Sequence, residues 1–238
     1  LKEEKVMRPT FLALVGLLLV FAQICSAQDA DLPLTKAQQQ ALTPNEVLEA
    51  LLAGNERFAA GKATQRDITA RIAASSAGQY PKAVILSCLD SRVPVEKVFD
   101  VSIGDIFVGR VAGNIVNEDQ LGSMEFATKL AGAKLVMILG HNECGAVKGA
   151  IDGAELGNLT ALLAKIRPAV DSVEGFSPAD RTSANDEFVD QVIEHNVQEM
   201  IAKVREKSPV LAGLEQSGEL KIVGATYDLH TGKVTLVK

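Results

Sequence analysis

The chain has no tryptophan, two tyrosines and an aromatic share of only 4%. Its core must therefore be filled mostly by aliphatic side chains. It also lacks any run of basic residues, and its net charge is −6. Nothing in that balance recommends a nucleic acid or an anionic membrane surface as a partner. There is no internal repeat and no composition shift that marks a second domain. Cysteine is scarce, at three residues, and so is histidine, also at three. Where these few residues fall is therefore informative.

What remains is an ordinary globular composition, 47% hydrophobic and 23% charged over 238 residues, enough for one α/β domain with a substantial core. Arg8 precedes an apolar run of fourteen residues from Phe11 to Ile24, too short for a comfortable membrane span. Cys25-Ser26-Ala27 then supplies the small residues of a signal-peptidase site. We expect residues 1–27 to be an export signal cleaved after Ala27, with Met7 the natural start and Leu1–Val6 an artefact of start assignment. A lipid anchor on Cys25 fits less well, because Gln23 and Ile24 are not small. The expectation is an exported protein, periplasmic or secreted, with no stable membrane span after cleavage. Polar, Gln-rich residues 28–42 read as a flexible leader, and 43–238 as a single domain.

Cleavage leaves Cys88 and Cys144. An even pair in an exported chain is first read as a disulfide. Both cysteines, however, follow apolar strands and have polar neighbours, and Cys144 lies three residues after His141, so metal ligation stands beside the disulfide.

Along the chain, Thr43-Pro44-Asn45-Glu46 is a capping box with proline at the first helical position. Val47, Leu48, Leu51, Leu52, Phe58 and Ala59 line one face of the helix that follows, up to Gly61. That face needs a cover, either its own core or a partner subunit. Lys62–Arg71 reads as a polar linker and the next residues as a short Ala/Ser stretch ending at Gly78. Strands are predicted over Ala83–Ser87, Asp105–Val111 and Leu135–Leu139. Helices are predicted over Pro94–Phe99, Asn117–Leu130, the small residues after Cys144, Leu159–Ile166 and Asp186–Lys207. A strand over Lys221–Asp228, a tight turn at His230–Lys233 and an edge strand over Val234–Val237 finish the chain. This alternation predicts a mostly parallel central sheet flanked by helices. Ligands of such sheets bind beyond the carboxyl ends of the strands, where Cys88 and His141 fall.

Thiolate and imidazole are zinc ligands, and a catalytic zinc keeps one position open. Cys88, His141 and Cys144 supply three donors. Two thiolates would make bound water less acidic than in an all-histidine site. Asp90 and Arg92 leave the same strand end, so a guanidinium can hold a carboxylate through paired charged hydrogen bonds. Held in this way, Asp90 can accept from water on the metal. Released, it could become the fourth ligand. By themselves the two would be an ordinary salt bridge. His195 and His230 read as surface residues, Tyr227 as a strand residue, Glu143 as solvent-facing, and Gly113-Asn114 as backbone devices or site elements.

Cys88-Leu-Asp90-Ser-Arg92 together with His141-x-x-Cys144-Gly145 resembles the signature of the β-class carbonic anhydrases. Gly54-Asn55-Glu-Arg57-Phe58, Gln79-Tyr-Pro81-Lys82, Gly104 to Asn114, Ser123-x-Glu125-Phe126-Ala127 and Gly224-Ala225-x-Tyr227-Asp228 are also similar to family segments. The likeness covers roughly Pro44 to Val234. It implies a β-carbonic anhydrase-like fold with one zinc per chain on Cys88, His141 and Cys144, and Asp90–Arg92 as the catalytic dyad. It implies that Gln79 binds substrate from the facing subunit, that Gly145 contributes its backbone, and that Phe107, Ala112 and Phe126 line a carbon dioxide pocket. The activity implied is reversible hydration of carbon dioxide to bicarbonate and a proton by zinc-bound hydroxide, in a dimer or tetramer whose Thr43–Gly61 helix grips a partner. Hydrolysis of carbonyl sulfide or carbon disulfide, or non-catalytic zinc binding, are the alternatives on that scaffold. Two departures stand out. The tryptophan of a regulatory bicarbonate site is replaced by Ile85, which predicts the water-bound, open form near neutral pH and a structural or interface role for Arg110. Phe126 stands where many members have tyrosine.

Overall fold

A computed structural model describes residues 32–237. The expected export segment and the first residues of the leader lie outside the described residues. Three short helices come first: α1 (Lys36–Ala41), α2 (Pro44–Ala59) and α3 (Ile68–Ser75). The core follows as β1 (Ala83–Ser87), α4 (Val95–Val98), β2 (Ile106–Arg110), α5 (Glu118–Glu125) and β3 (Leu135–His141). Helices α6 (Gly145–Ile151), α7 (Gly157–Leu163), α8 (Arg167–Ser172), α9 (Asp186–Lys207) and α10 (Pro209–Gln216) lead to β4 (Lys221–Tyr227) and β5 (Val234–Leu236). Among the described residues no helix is long and apolar enough to cross a membrane.

The five strands form one sheet in the order β2-β1-β3-β4-β5, parallel except for the antiparallel edge strand β5. The predicted sheet is thus confirmed. All of β1 and β3 is buried, as expected of parallel strands covered on both faces, which need apolar residues at every position rather than at alternate ones. Alternation still decides which face each side chain enters. Val84, Leu86, Val136 and Ile138 join the core beneath α5–α10, while Ala83, Ile85, Leu135, Met137 and Leu139 join the core beneath α2 and α4. Continuing that alternation past Ser87 places Cys88 on the α9 face.

Helix α9 has the predicted boundaries. It buries Phe188, Val192, Val197, Met200 and Val204, each a large apolar side chain whose burial contributes about 1.5–3 kcal/mol. It lies close against the sheet because β3 and β4 carry glycine beneath it. A Cβ on Gly140 would come within 2.8 Å of Val197, and one on Gly224 within 2.6 Å of Ile201.

Three expectations are corrected and one open choice is decided. The leader is not loose where it is described: Thr35 caps α1 through a capping box, and the buried Gln39 amide donates to the carbonyls of Pro81 and Ala131. The polar linker holds a helix, α3, started by the Asp67 cap. Its Arg71 is 2% exposed and paired with Asp105. Of the two covers open to the apolar face of α2, the chain's own core is the one observed, with Val47, Leu48 and Leu51 packed into the second core. Last, the predicted Asn117–Leu130 helix changes pitch. After α5 it widens to a π turn over Phe126–Leu130, where Ala131 N–H bonds the carbonyl of Phe126 and the Thr128 hydroxyl donates to the carbonyl of Met124. A hydroxyl returned to the preceding turn competes with the regular ladder.

Candidate metal centre

Strand order places the centre. The chain leaves β1 toward β2 on one side and leaves β3 toward β4 on the other, so the carboxyl ends of neighbouring β1 and β3 flank a topological switch point. Cys88 follows β1 and His141 ends β3. Cys144 is the residue before α6 and is held by that helix's start. Their three donor atoms lie within 4.8 Å of one another, all on buried residues. The predicted ligand set is therefore brought together.

The geometry excludes the disulfide. The sulfurs are 3.9 Å apart and both cysteines are free, whereas a disulfide bond is about 2.05 Å. Two thiolates on one tetrahedral zinc, each at about 2.3 Å, would stand about 3.8 Å apart. His141 fits as well. Its Nδ1 lies 2.7 Å from the carbonyl oxygen of Asn142, which fixes the proton on Nδ1 and leaves Nε2 as a lone pair. That Nε2 is buried with no hydrogen-bond partner. An orphaned imidazole nitrogen aimed at two sulfurs is what a thiolate-preferring divalent metal needs, and the residues fit zinc.

The thiols reinforce this. A hydrogen bond from Cys144 lowers the Cys88 thiol from its usual range against the opposing effect of burial, with further help from backbone N–H groups at Asp90 and Gly113. Cys144 is pushed far above the usual thiol range, first by its bond to Cys88 and then by burial. A dication supplies the charge that would let both ionise.

Asp90 and Arg92 are paired side by side at the end of β1. Arg92 donates to Asp90 from its backbone N–H at 2.9 Å, from Nε at 3.0 Å and from a terminal nitrogen at 2.7 Å. These bonds hold the Asp90 carboxyl down to about 2, burial opposing. Asp90 Oδ2 is 3.8 Å from His141 Nε2, at the margin of the donor triangle. Arg110 has a structural part, donating to the carbonyls of Cys88 and Asp90 and so gripping the ligand turn from both ends.

The remaining predicted site residues are more scattered. Gly145 opens α6 beside Cys144 and is exposed, and Ala112 is half-buried in the 3₁₀ turn Ala112–Asn114 next to Gly113. Phe107 and Phe126 meet edge to face, ring centres 6.2 Å apart, in a cavity of about 680 Å³ along the open edge of β2 that neither Ala112 nor a metal ligand lines. Gln79 is exposed at the opposite end of β1 from Cys88 and lines a different cavity with Gln39 and Lys134. At about 3.3 Å per residue, the five residues of β1 alone separate it from its own chain's metal donors by about 16 Å. Asn142 and Asn196 were missed. Asn142 ties the ligand loop to β4, bonding the Tyr227 carbonyl through its N–H and accepting from Leu229 N–H. Asn196 had a legible signal: it stands four residues from both Val192 and Met200, inside the apolar stripe of α9.

Fold and site together define an α/β protein with a candidate metal site of sulfur and imidazole donors at a sheet switch point. A family model described as carbonic anhydrase matches residues 83–234. The chain is 36% identical over 197 residues to carbonic anhydrase 2 of Mycobacterium tuberculosis, covering 81% of this chain and 92% of that one. It resembles a Coccomyxa β-carbonic anhydrase solved with acetazolamide (TM-score 0.63, 26% identity, 80% of this chain and 86% of that one). It shares the fold of tetrameric β-carbonic anhydrases from Sordaria macrospora (TM-score 0.62, 24% identity, 81% of this chain and 97% of that one). The chain belongs to the carbonic anhydrase family, in its β class.

Proposed function

We propose that the chain catalyses the reversible hydration of carbon dioxide to bicarbonate and a proton, with one zinc held by Cys88, His141 and Cys144. The observation that carries this is the unpartnered Nε2 of His141, aimed at two cysteine sulfurs beside a carboxylate fixed by arginine. Zinc bound there supplies a Lewis acid that makes water a nucleophile near neutral pH.

The chain's own residues do the rest. Asp90 is ionised at any working pH and can accept a hydrogen bond from the attacking water, turning that water's lone pair toward the carbon. Arg92 keeps Asp90 from moving onto the metal, and Arg110 keeps the turn that carries both. Buried aliphatic residues of the core that holds both cysteines, Val147 and Ile115 among them, exclude bulk water and strengthen charge interactions inside. Ile85 is fully buried in the second core and offers no hydrogen-bond donor, which supports a site that stays in the open form near neutral pH.

Gln79 is too far from its own chain's centre, which supports self-association as a dimer or tetramer in which Gln79 of a second copy contacts the substrate. The half-buried open edge of β2, with exposed Phe126 beside it, suits such a contact. We also carry forward export to the periplasm or exterior, with a mature N-terminus at Gln28. An intact mass that begins at Met7 would refute it.

Stopped-flow hydration of carbon dioxide, with metal analysis on the same sample, tests the main reading. About one zinc per chain with hydration well above buffer background supports it. Zinc without activity across neutral and mildly alkaline pH overturns it.

A further inference from the structure

Helix α9 reaches the metal centre without contributing a ligand. Asn196, in its middle, is 1% exposed, and its Nδ2 donates to the carbonyl of Gly113 at 2.9 Å. Its Oδ1 has no partner. One turn further on, the Met200 sulfur accepts the N–H of Val116 at 3.0 Å. Two side chains four residues apart on one face thus engage the backbone of the segment between β2 and α5 at two points.

That segment matters because the N–H of Gly113 points at Sγ of Cys88, 3.4 Å away. Gly113 has a left-handed backbone (φ 67°), and a Cβ there would lie 2.5 Å from Ile166 Cδ1. Only glycine fits the place, and a glycine held from one side alone is free to turn. The Asn196 bond removes that freedom from the carbonyl side. A buried amide satisfied on one side only costs folding free energy relative to an apolar residue of the same shape, so packing does not account for it.

We propose that Asn196 is a positioning residue for the metal: by holding Gly113 it aims a peptide N–H at the Cys88 thiolate and so limits how much electron density that sulfur gives the metal. Outer hydrogen bonds of this kind tune ligand strength, and their loss changes metal affinity or activity by about 10-fold to 100-fold. A freed thiolate donates more strongly and makes the metal a weaker Lewis acid. The pH midpoint of turnover should then move to higher pH. This inference rests on the zinc reading above.

The test uses the full chain loaded with cobalt(II), whose sulfur-to-metal charge-transfer band reports thiolate donation directly, and compares Asn196→Leu, Asn196→Ser and Met200→Leu. We expect a clear wild-type band that moves to longer wavelength in both Asn196 variants, together with an alkaline shift of the kcat midpoint. Met200→Leu, which frees Val116 rather than Gly113, should move the band less than either Asn196 variant. In the cadmium-loaded wild type the Gly113 amide proton should couple to the metal nucleus. That measurement needs no variant to fold, and a missing coupling would overturn the proposal. An unmoved band in a folded Asn196 variant, or an equal shift in Met200→Leu, would also overturn it. No wild-type cobalt band at all would instead defeat the zinc reading on which it depends.

Discussion

Two clusters of buried charged or metal-competent groups lie at opposite ends of the sheet, and they are satisfied in opposite ways. At the amino-terminal end, Asp100 is almost wholly buried, yet its carboxylate accepts from Arg57 at 2.6 Å, Arg66 at 2.8 Å and the Thr64 hydroxyl at 2.7 Å. Asp105 nearby takes Arg71 and the N–H of Ser102. Burial alone would raise the Asp100 carboxyl, but the Arg66, Arg57 and Thr64 bonds outweigh it and hold the group well below the usual carboxylate range. Within that network the carboxylates are answered inside the chain. At the carboxyl end, two sulfurs and an imidazole nitrogen crowd within 4.8 Å of one another, and the buried His141 Nε2 has no hydrogen-bond partner. A closed network builds the fold; an open one waits for a ligand.

The largest effect should come from the open cluster. Cys88→Ser or His141→Ala is expected to abolish stoichiometric zinc binding and bring hydration down to buffer background, read by metal analysis and stopped-flow. Next is the dyad. Arg92→Ala should keep zinc yet lose about 10²-fold to 10⁴-fold in kcat, the range of a positioned proton acceptor. Retained activity would refute the part given to Arg92. The converse break is Asp100→Ala, which removes the buried carboxylate shared by Arg57, Arg66 and Thr64 and should cost about 3 kcal/mol of stability in denaturant unfolding, with zinc content unchanged. Its pH signature follows from the sign of the shift. A depressed folded pKa gives stability that is fully present above the unfolded value of about 3.9 and is lost as pH falls below it. Asp100→Asn should therefore show a shallower acid loss of stability than wild type. Smallest is Gln79→Ala, expected to raise KM a few-fold with zinc and monomer stability unchanged; no change in KM would refute contact from a second copy.

The open cluster was far easier to read in the sequence than the closed one. β1 and β3 are unbroken aliphatic runs, and buried parallel strands have few other ways to be written. The residues that end them inherit a place at the sheet's edge, so Cys88, Asp90, Arg92, His141 and Cys144 could be put together before any coordinates. The closed network hid in segments that look like linkers. Arg71 stands among Ala, Thr and Ser, and only the Asp67 cap marks the helix that buries it. Gln39 lies in a Gln-rich stretch and is the one buried residue of α1. Local pattern says which residues are polar, but not which polar residue has a distant carbonyl waiting for it. Asn196 lies between these cases: its place in the apolar stripe was visible, while its partner, more than eighty residues away, was not.

The central claim is that the open cluster is a zinc site that hydrates carbon dioxide. The most direct measurement is stopped-flow hydration by the purified full chain before chelation, after chelation and after return of zinc, with metal content followed throughout. The account expects about one zinc per chain, activity that disappears with the metal and activity that returns with it. Activity unchanged by complete zinc removal would contradict it.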